Sequence, residues 1–234
     1  MFAIVIPAYQ PDKKLISMLE NVLVELEKEK YEIVLIDDGS GAKYDNIFQT
    51  AESMGIRVIR YLINAGKGYA LKTAFQYLIK EHSSNLDGIG ADWIITVDAD
   101  GQHTIEDIEK IIERSRVTDK KLIVGSRSFV GYVPVRSRIG NLFAALLFKG
   151  CTGIQAKDTQ SGLRAYKGTE LCSFAEVEGN RYEYEMNCLI QYQNDIDYVD
   201  IETVYELGNR SSHYRPFADS MKIFKALIKA MLKN

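Results

Sequence analysis

Short apolar runs alternate with helix-patterned stretches through the first half of the chain, and that order restricts the fold more than any single motif does. The runs are "AIVIPAY", "EIVLIDD", "IRVIRYL", "WIITVDAD" and "KLIVGSR". Between them, apolar spacing predicts helices from about Lys13 to Lys28, Tyr44 to Met54, Lys67 to Glu81 and Ile105 to Val117. Strand, helix, strand repeated in this way calls for an α/β fold, a mainly parallel sheet with helices on both faces. A length of 234 residues, 46% hydrophobic, is enough to bury one core. After Ser128 the alternation breaks down. A helix is expected over Val135 to Lys149, then a polar loop "QAKDTQSGLRAY", a helix near Tyr184 to Tyr192 and a strand "DYVDIETVY".

In parallel sheets ligands sit beyond the carboxyl ends of the strands. Those ends hold Pro7, Ala8 and Tyr9 after the first run, Asp37 and Asp38 after the second, Asn64 to Lys67 after the third, and Asp98 and Asp100 after the fourth. Core packing does not ask for carboxylates and a lysine there. Other chemistries are disfavoured. A net charge of -3 gives no basic field for nucleic acid. Cys151, Cys172 and Cys188 are odd in number and form no C-x-x-C pair, which argues against a disulfide framework or a zinc site and fits a reducing cytoplasm. "MFAIVIPAY" lacks the charged start of a signal peptide, and "IGNLFAALLF" is too short to span a bilayer.

In "VDADGQH", Asp98 and Asp100 at i and i+2 can point to one side of an extended segment and form a hard oxygen site for Mg²⁺ or Mn²⁺. Gln102 could add a neutral oxygen, with His103 close by. The competing reading is a solvated turn or helix cap, with Thr104 as N-cap and Glu106 and Asp107 in the first turn. "IVLIDDGSG" can present carboxylates to a ribose or base, or simply close a βα turn. "NAGKGYALK" sets Lys67 at a helix start between two glycines, where backbone N–H groups and the ammonium can meet an anion. It is not a Walker loop, since Lys67 is followed by Gly68.

Taken in order, "IVIPAY", "VLIDDGS", "NAGKGYALKTAF", "VDADGQH", "GSR" and "DTQSGLRAY" resemble the family 2 glycosyltransferases of GT-A fold. The resemblance is closest to the dolichyl-phosphate mannose synthase and bacterial polyprenyl-phosphate sugar synthase branch. It implies a Rossmann-like catalytic domain over 1–218, with a nucleotide-sugar half (1–128) and an acceptor half (129–218), followed by an amphipathic helix over 219–234. By that resemblance Pro7, Ala8, Tyr9, Asp37 and Asp38 hold the nucleoside, and Lys67 and Asp98 also face the nucleotide. Asp98, Asp100 and Gln102 carry the metal, Mg²⁺ or Mn²⁺.

Asp158 of "DTQSGLRAY" takes the place of the family's catalytic aspartate, with Leu163 where Phe is usual; the plainer alternative pairs Asp158 with Arg164. Arg127, Arg136 and Arg138 lie where the lipid-phosphate synthases place cations for the acceptor phosphate, and guanidinium forks suit it. Arg210, His213 and Arg215 are candidates for a lid. The implied activity is inverting, metal-dependent transfer of a sugar, with UDP the preferred nucleotide, to polyprenyl (undecaprenyl) phosphate for cell-envelope glycans. Transfer to a sugar hydroxyl and a non-catalytic nucleotide-sugar-binding subunit are the alternatives. The only tryptophan, Trp93, opens a strand, so the Q-x-x-R-W motif of processive polymer synthases is missing. Lys222, Lys225, Lys229 and Lys233 form one helical stripe opposite Phe224, Leu227, Ile228 and Met231. This predicts either peripheral contact with anionic lipid on the inner face of the cell membrane or a helix docked on the core. The resemblance also permits a homo-oligomer and a small flippase-like membrane partner.

Overall fold

The computed structural model describes residues 1–82, 91–127, 144–146, 148–150, 152–202, 221–224 and 227–228. The five predicted strands of the first half are present as β1 (Phe2–Ala8), β2 (Tyr31–Asp38), β3 (Arg57–Tyr61), β4 (Trp93–Thr96) and β5 (Leu122–Arg127). The helices between them are α1 (Lys14–Glu25), α2 (Asp45–Ser53), α3 (Lys67–His82) and α4 (Ile105–Ser115). Further on come β6 (Arg164–Lys167), α5 (Leu171–Glu176), α6 (Glu183–Gln191) and β7 (Ile196–Ile201).

All seven strands join one sheet in the order β3-β2-β1-β4-β6-β5-β7. Neighbours run parallel except at β6, which is antiparallel to both β4 and β5. This corrects the expected polar loop over 155–166, whose last three residues begin a strand inside the sheet. The sheet thus continues across the boundary expected near residue 128.

Side chains of β1 sort by the period of two. Ala3 and Val5 join the core under α3, α5 and α6, together with Phe75, Tyr166, Phe174 and Tyr184. Phe2, Ile4, Ile6 and Ala8 face the opposite core, with Leu15 and Leu19 of α1, Phe48 of α2 and Ile108 and Ile111 of α4. Burial on both faces is what near-continuous apolar strands require. The strand order reverses on the two sides of β1, so the crevice beyond Ala8 is the switch point where such sheets bind ligands.

The helical residues 221–224 and 227–228 settle part of the C-terminal question. Leu227 is fully buried and Ile223 packs into the same core as Phe75, while Phe224 remains 44% exposed. Leu227 and Ile223 are thus docked on the protein, whereas Phe224, on the same predicted apolar face, is not. Among the described residues no helix is long and apolar enough to cross a membrane.

Phe75 of α3 and Tyr166 of β6 meet at 5.1 Å between ring centroids, tying the antiparallel strand to the first-half helices. Phe75→Ala is expected to lower the unfolding free energy in urea by about 3–5 kcal/mol. A loss below about 1 kcal/mol would contradict this packing.

Candidate active site

The loops at the carboxyl ends of β1, β2, β3 and β4 converge, and hydrogen bonds specify how. After β2, the Ser40 amide donates to Asp37 Oδ1 at 2.8 Å, and Ser40 Oγ accepts from the Gln10 amide at 2.8 Å. The loop carrying Tyr9 is thereby fastened to the turn after Asp37. Asp38 has a different duty. Its carboxylate accepts from Asn64 Nδ2 at 2.8 Å, from the Ala65 amide at 2.7 Å and from the Gly66 amide at 2.9 Å. It is a clamp for the loop after β3, whereas Asp37 holds the turn that follows β2 through Ser40.

Three amides around the start of α3 already have partners within the protein. The Ala65 and Gly66 amides serve Asp38, and the Tyr69 amide donates to Asn180 O at 2.9 Å. The two glycines have a packing reason: a Cβ at Gly66 would lie 2.5 Å from Asn180 O, and one at Gly68 2.4 Å from Tyr184 Cβ. The Lys67 ammonium stands at the same helix start, 2.7 Å from Asp98 Oδ1.

Asp98 follows the end of β4 at Thr96 by two residues and Asp100 lies in the turn just beyond it, so the pair does not share one extended segment as the sequence led us to expect. Thr104 caps α4 by accepting from the Asp107 amide, so neither carboxylate is needed as a cap. Asp98 Oδ1 is 2.7 Å from Lys67 Nζ, and Oδ2 is 3.7 Å from His103 Nε2. Gly162 of the loop before β6 abuts the same carboxylate: a Cβ there would fall 2.1 Å from Asp98 Oδ2. Thr96 Oγ1 reinforces this contact by donating to Gly162 O at 2.9 Å. Burial alone would raise the Asp98 pKa, but the Lys67 charge, with the His103 ring nearby, holds it well below the usual carboxylate range. Burial and the neighbouring Asp98 charge push Asp100 up. The segment therefore sets two carboxylates near each other, with 31% of the Asp98 side chain still open to solvent.

Asp158 is fully buried and pairs with Arg127, not with Arg164. Its Oδ2 accepts from Arg127 Nε at 2.7 Å and its Oδ1 from Nη2 at 3.0 Å, a bidentate fork. The Gln160 and Ser161 amides also donate to Oδ1, at 2.8 and 3.1 Å. Burial works against the anion, yet these bonds and the Arg127 charge leave its pKa lowered. Arg164 is instead a buried brace, donating to Ser161 O at 2.8 Å, Glu185 O at 2.8 Å and Thr159 O at 3.3 Å. Arg136, Arg138, Arg210, His213 and Arg215 lie outside the described residues.

Sequence reasoning missed Glu185 of α6. Its carboxylate, 5% exposed as a residue, stands 3.0 Å from Lys67 Nζ and 3.7 Å from Arg164 Nε. The signal was present: Glu185 shares a helix face with Cys188 and Leu189, and a carboxylate on an apolar face needs a partner.

Among the described residues no three His, Cys, Asp or Glu side chains group as a metal cage. Asp98 and Asp100 are two hard oxygen donors close in sequence and electrostatically coupled. That fits a cation such as Mg²⁺ or Mn²⁺, which takes one or two carboxylates and completes its shell with substrate phosphates and water.

The family model described as glycosyl transferase family 2 matches residues 3–171. The chain is 29% identical over 225 residues to a UDP-N-acetylglucosamine–dolichyl-phosphate N-acetylglucosaminyltransferase of Methanococcus voltae, covering 86% of this chain and 85% of that one. It is 28% identical over 171 residues to an undecaprenyl-phosphate 4-deoxy-4-formamido-L-arabinose transferase of Photorhabdus laumondii, covering 70% of this chain and 48% of that one. Among solved structures, glucosyl-3-phosphoglycerate synthase from Mycobacterium tuberculosis, in complex with Mn²⁺, UDP and glucosyl-3-phosphoglycerate, superposes with a TM-score of 0.67. It covers 100% of this chain and 79% of that one at 16% identity, a likeness of fold.

Because Asp158 has a lowered pKa in the folded state, its ionised form stabilises the protein above the unfolded value of 3.8, and that contribution is lost as pH falls through the folded pKa. Asp158→Asn is therefore expected to be less stable than the parent by about 3 kcal/mol at neutral pH, with the gap narrowing in acid. Urea unfolding across this range checks it; a gap independent of pH would contradict the assignment.

Proposed function

This chain belongs to glycosyl transferase family 2 and is a glycosyltransferase; we propose that it moves a sugar from a UDP-sugar to the phosphate of a polyprenyl phosphate, with inversion and with a divalent cation bound. The observation that carries this reading is the contact of Asp98, on the nucleotide side, with both Lys67 and Gly162. The polyprenyl-phosphate acceptors and the UDP donor named for the relatives support the choice of substrates.

Asp37 and Tyr9 would face the nucleoside, with Pro7 and Ala8 closing the end of β1 beneath them. Asp98 and Asp100, with Gln102, would hold the cation, whose charge offsets that of the departing nucleoside diphosphate. Lys67 adds a fixed positive charge to the same side. Arg127, at the end of β5, turns toward the acceptor, its guanidinium held by Asp158. The acceptor oxygen attacks the anomeric carbon in line as the bond to the nucleoside diphosphate breaks.

The burial of Asp158 favours a phosphate over a sugar hydroxyl as acceptor. A hydroxyl requires a base that can reach it, whereas a phosphate monoester with a second pKa near about 6 is already largely dianionic at neutral pH. In this reading Asp158 orients Arg127 and the acceptor loop and removes no proton.

Incubation with Mn²⁺, a panel of UDP- and GDP-sugars and a short polyprenyl phosphate is expected to yield a glycosyl-phospholipid from one UDP-sugar, detected by mass spectrometry of the lipid. Chelation of the cation stops it. Transfer to a soluble glycan with none to the lipid would move the function to a hydroxyl acceptor, and nucleotide binding with no turnover would make the chain a binding subunit.

A further inference from the structure

Lys67 has two carboxylate partners, and only one of them follows β4. Asp98 is 2.7 Å from its ammonium; Glu185 approaches from α6 at 3.0 Å. The lysine side chain is 14% exposed and that of Glu185 7%, so water does little to screen the contact. Glu185 is also 3.7 Å from Arg164, whose guanidinium holds the carbonyls of Thr159 and Ser161 in the acceptor loop. The four groups alternate in sign along a line: Asp98, Lys67, Glu185, Arg164.

On the proposed function, a cation and a diphosphate draw Asp98 into a new set of contacts. Lys67 then shares its nearest carboxylate with a doubly charged competitor. We propose that Glu185 is a positioning residue that keeps the Lys67 ammonium in the donor site when Asp98 engages the cation, and joins it through Arg164 to the acceptor loop. The inference rests on the reading of Asp98 and Lys67 as donor-site residues. It assigns Glu185 no contact with substrate; its effect passes through Lys67.

The test is a double-mutant cycle on UDP affinity, measured by titration calorimetry with Mn²⁺ and again in EDTA for the parent, Glu185→Gln, Lys67→Met and the double variant. With Mn²⁺, Glu185→Gln is expected to weaken UDP binding about tenfold in the parent and by less than about twofold in the Lys67→Met background. In EDTA, where Asp98 stays with Lys67, the penalty shrinks to less than about twofold. An equal penalty in both backgrounds, or with and without Mn²⁺, would overturn the inference by making Glu185 a general support of the fold. If Glu185→Gln leaves Arg164 too poorly compensated to fold, Glu185→Asp keeps the charge on a shorter arm and runs the same cycle under the same criteria. A parent that binds no nucleotide overturns the proposed function itself, a result distinct from a parent that binds normally and a cycle that proves additive.

Discussion

The Asp98 carboxylate is the point on which the site is assembled. One oxygen meets the Lys67 ammonium and the other lies against Gly162, so a group at the end of β4 touches both the helix start after β3 and the acceptor loop. Oppositely charged groups this close in a poorly solvated place stabilise the fold only when each has its partners. The chain meets that condition with alternating charges, Asp98 and Glu185 balanced by Lys67 and Arg164. The arrangement depends on β6 lying antiparallel between β4 and β5, because that orientation places Gly162, just before Arg164, beside the residues that follow β4.

A second consequence concerns charge that is fixed before any ligand arrives. Transfer from a nucleoside diphosphate develops negative charge on the leaving group, and donors already held in place cost no reorganisation at that moment. Lys67 is held by two carboxylates and Arg127 by a bidentate fork to a buried aspartate. Each cation is thus restrained in position, and neither brings a net charge the protein has left unbalanced. Asp100 is the exception. Burial and the Asp98 charge both disfavour its anion, and a cation beside it would offset both.

Much of this was legible in the sequence where local pattern and tertiary role coincide. The first five strands and four helices follow from hydrophobic period, and the carboxylates at their ends follow from the geometry of parallel sheets. The misses have physical causes. "RAYK" is short, begins and ends with cations and follows a polar loop, so nothing local marks it as a buried strand; Arg164 is tolerated there because its guanidinium is met by three carbonyls. The glycines around Lys67 looked like an anion cradle because the same residue type serves a close approach by another backbone, and only the fold reveals Asn180 and Tyr184 on the other side. Of the paired aspartates that end β2, the sequence could not separate the loop clamp, Asp38, from Asp37. That division depends on which amides the loop after β3 brings within reach.

On the proposed function, the contact of Asp98 with Gly162 joins the nucleotide side and the acceptor side into one site. Titrating Gly162→Ala with UDP and Mn²⁺ tests this, since the substitution sits on the loop before β6 while the readout belongs to the donor. A methyl group there must displace the Asp98 carboxylate, and the account predicts UDP affinity reduced about tenfold or more in a protein that still unfolds cooperatively. UDP affinity equal to that of the parent would contradict it.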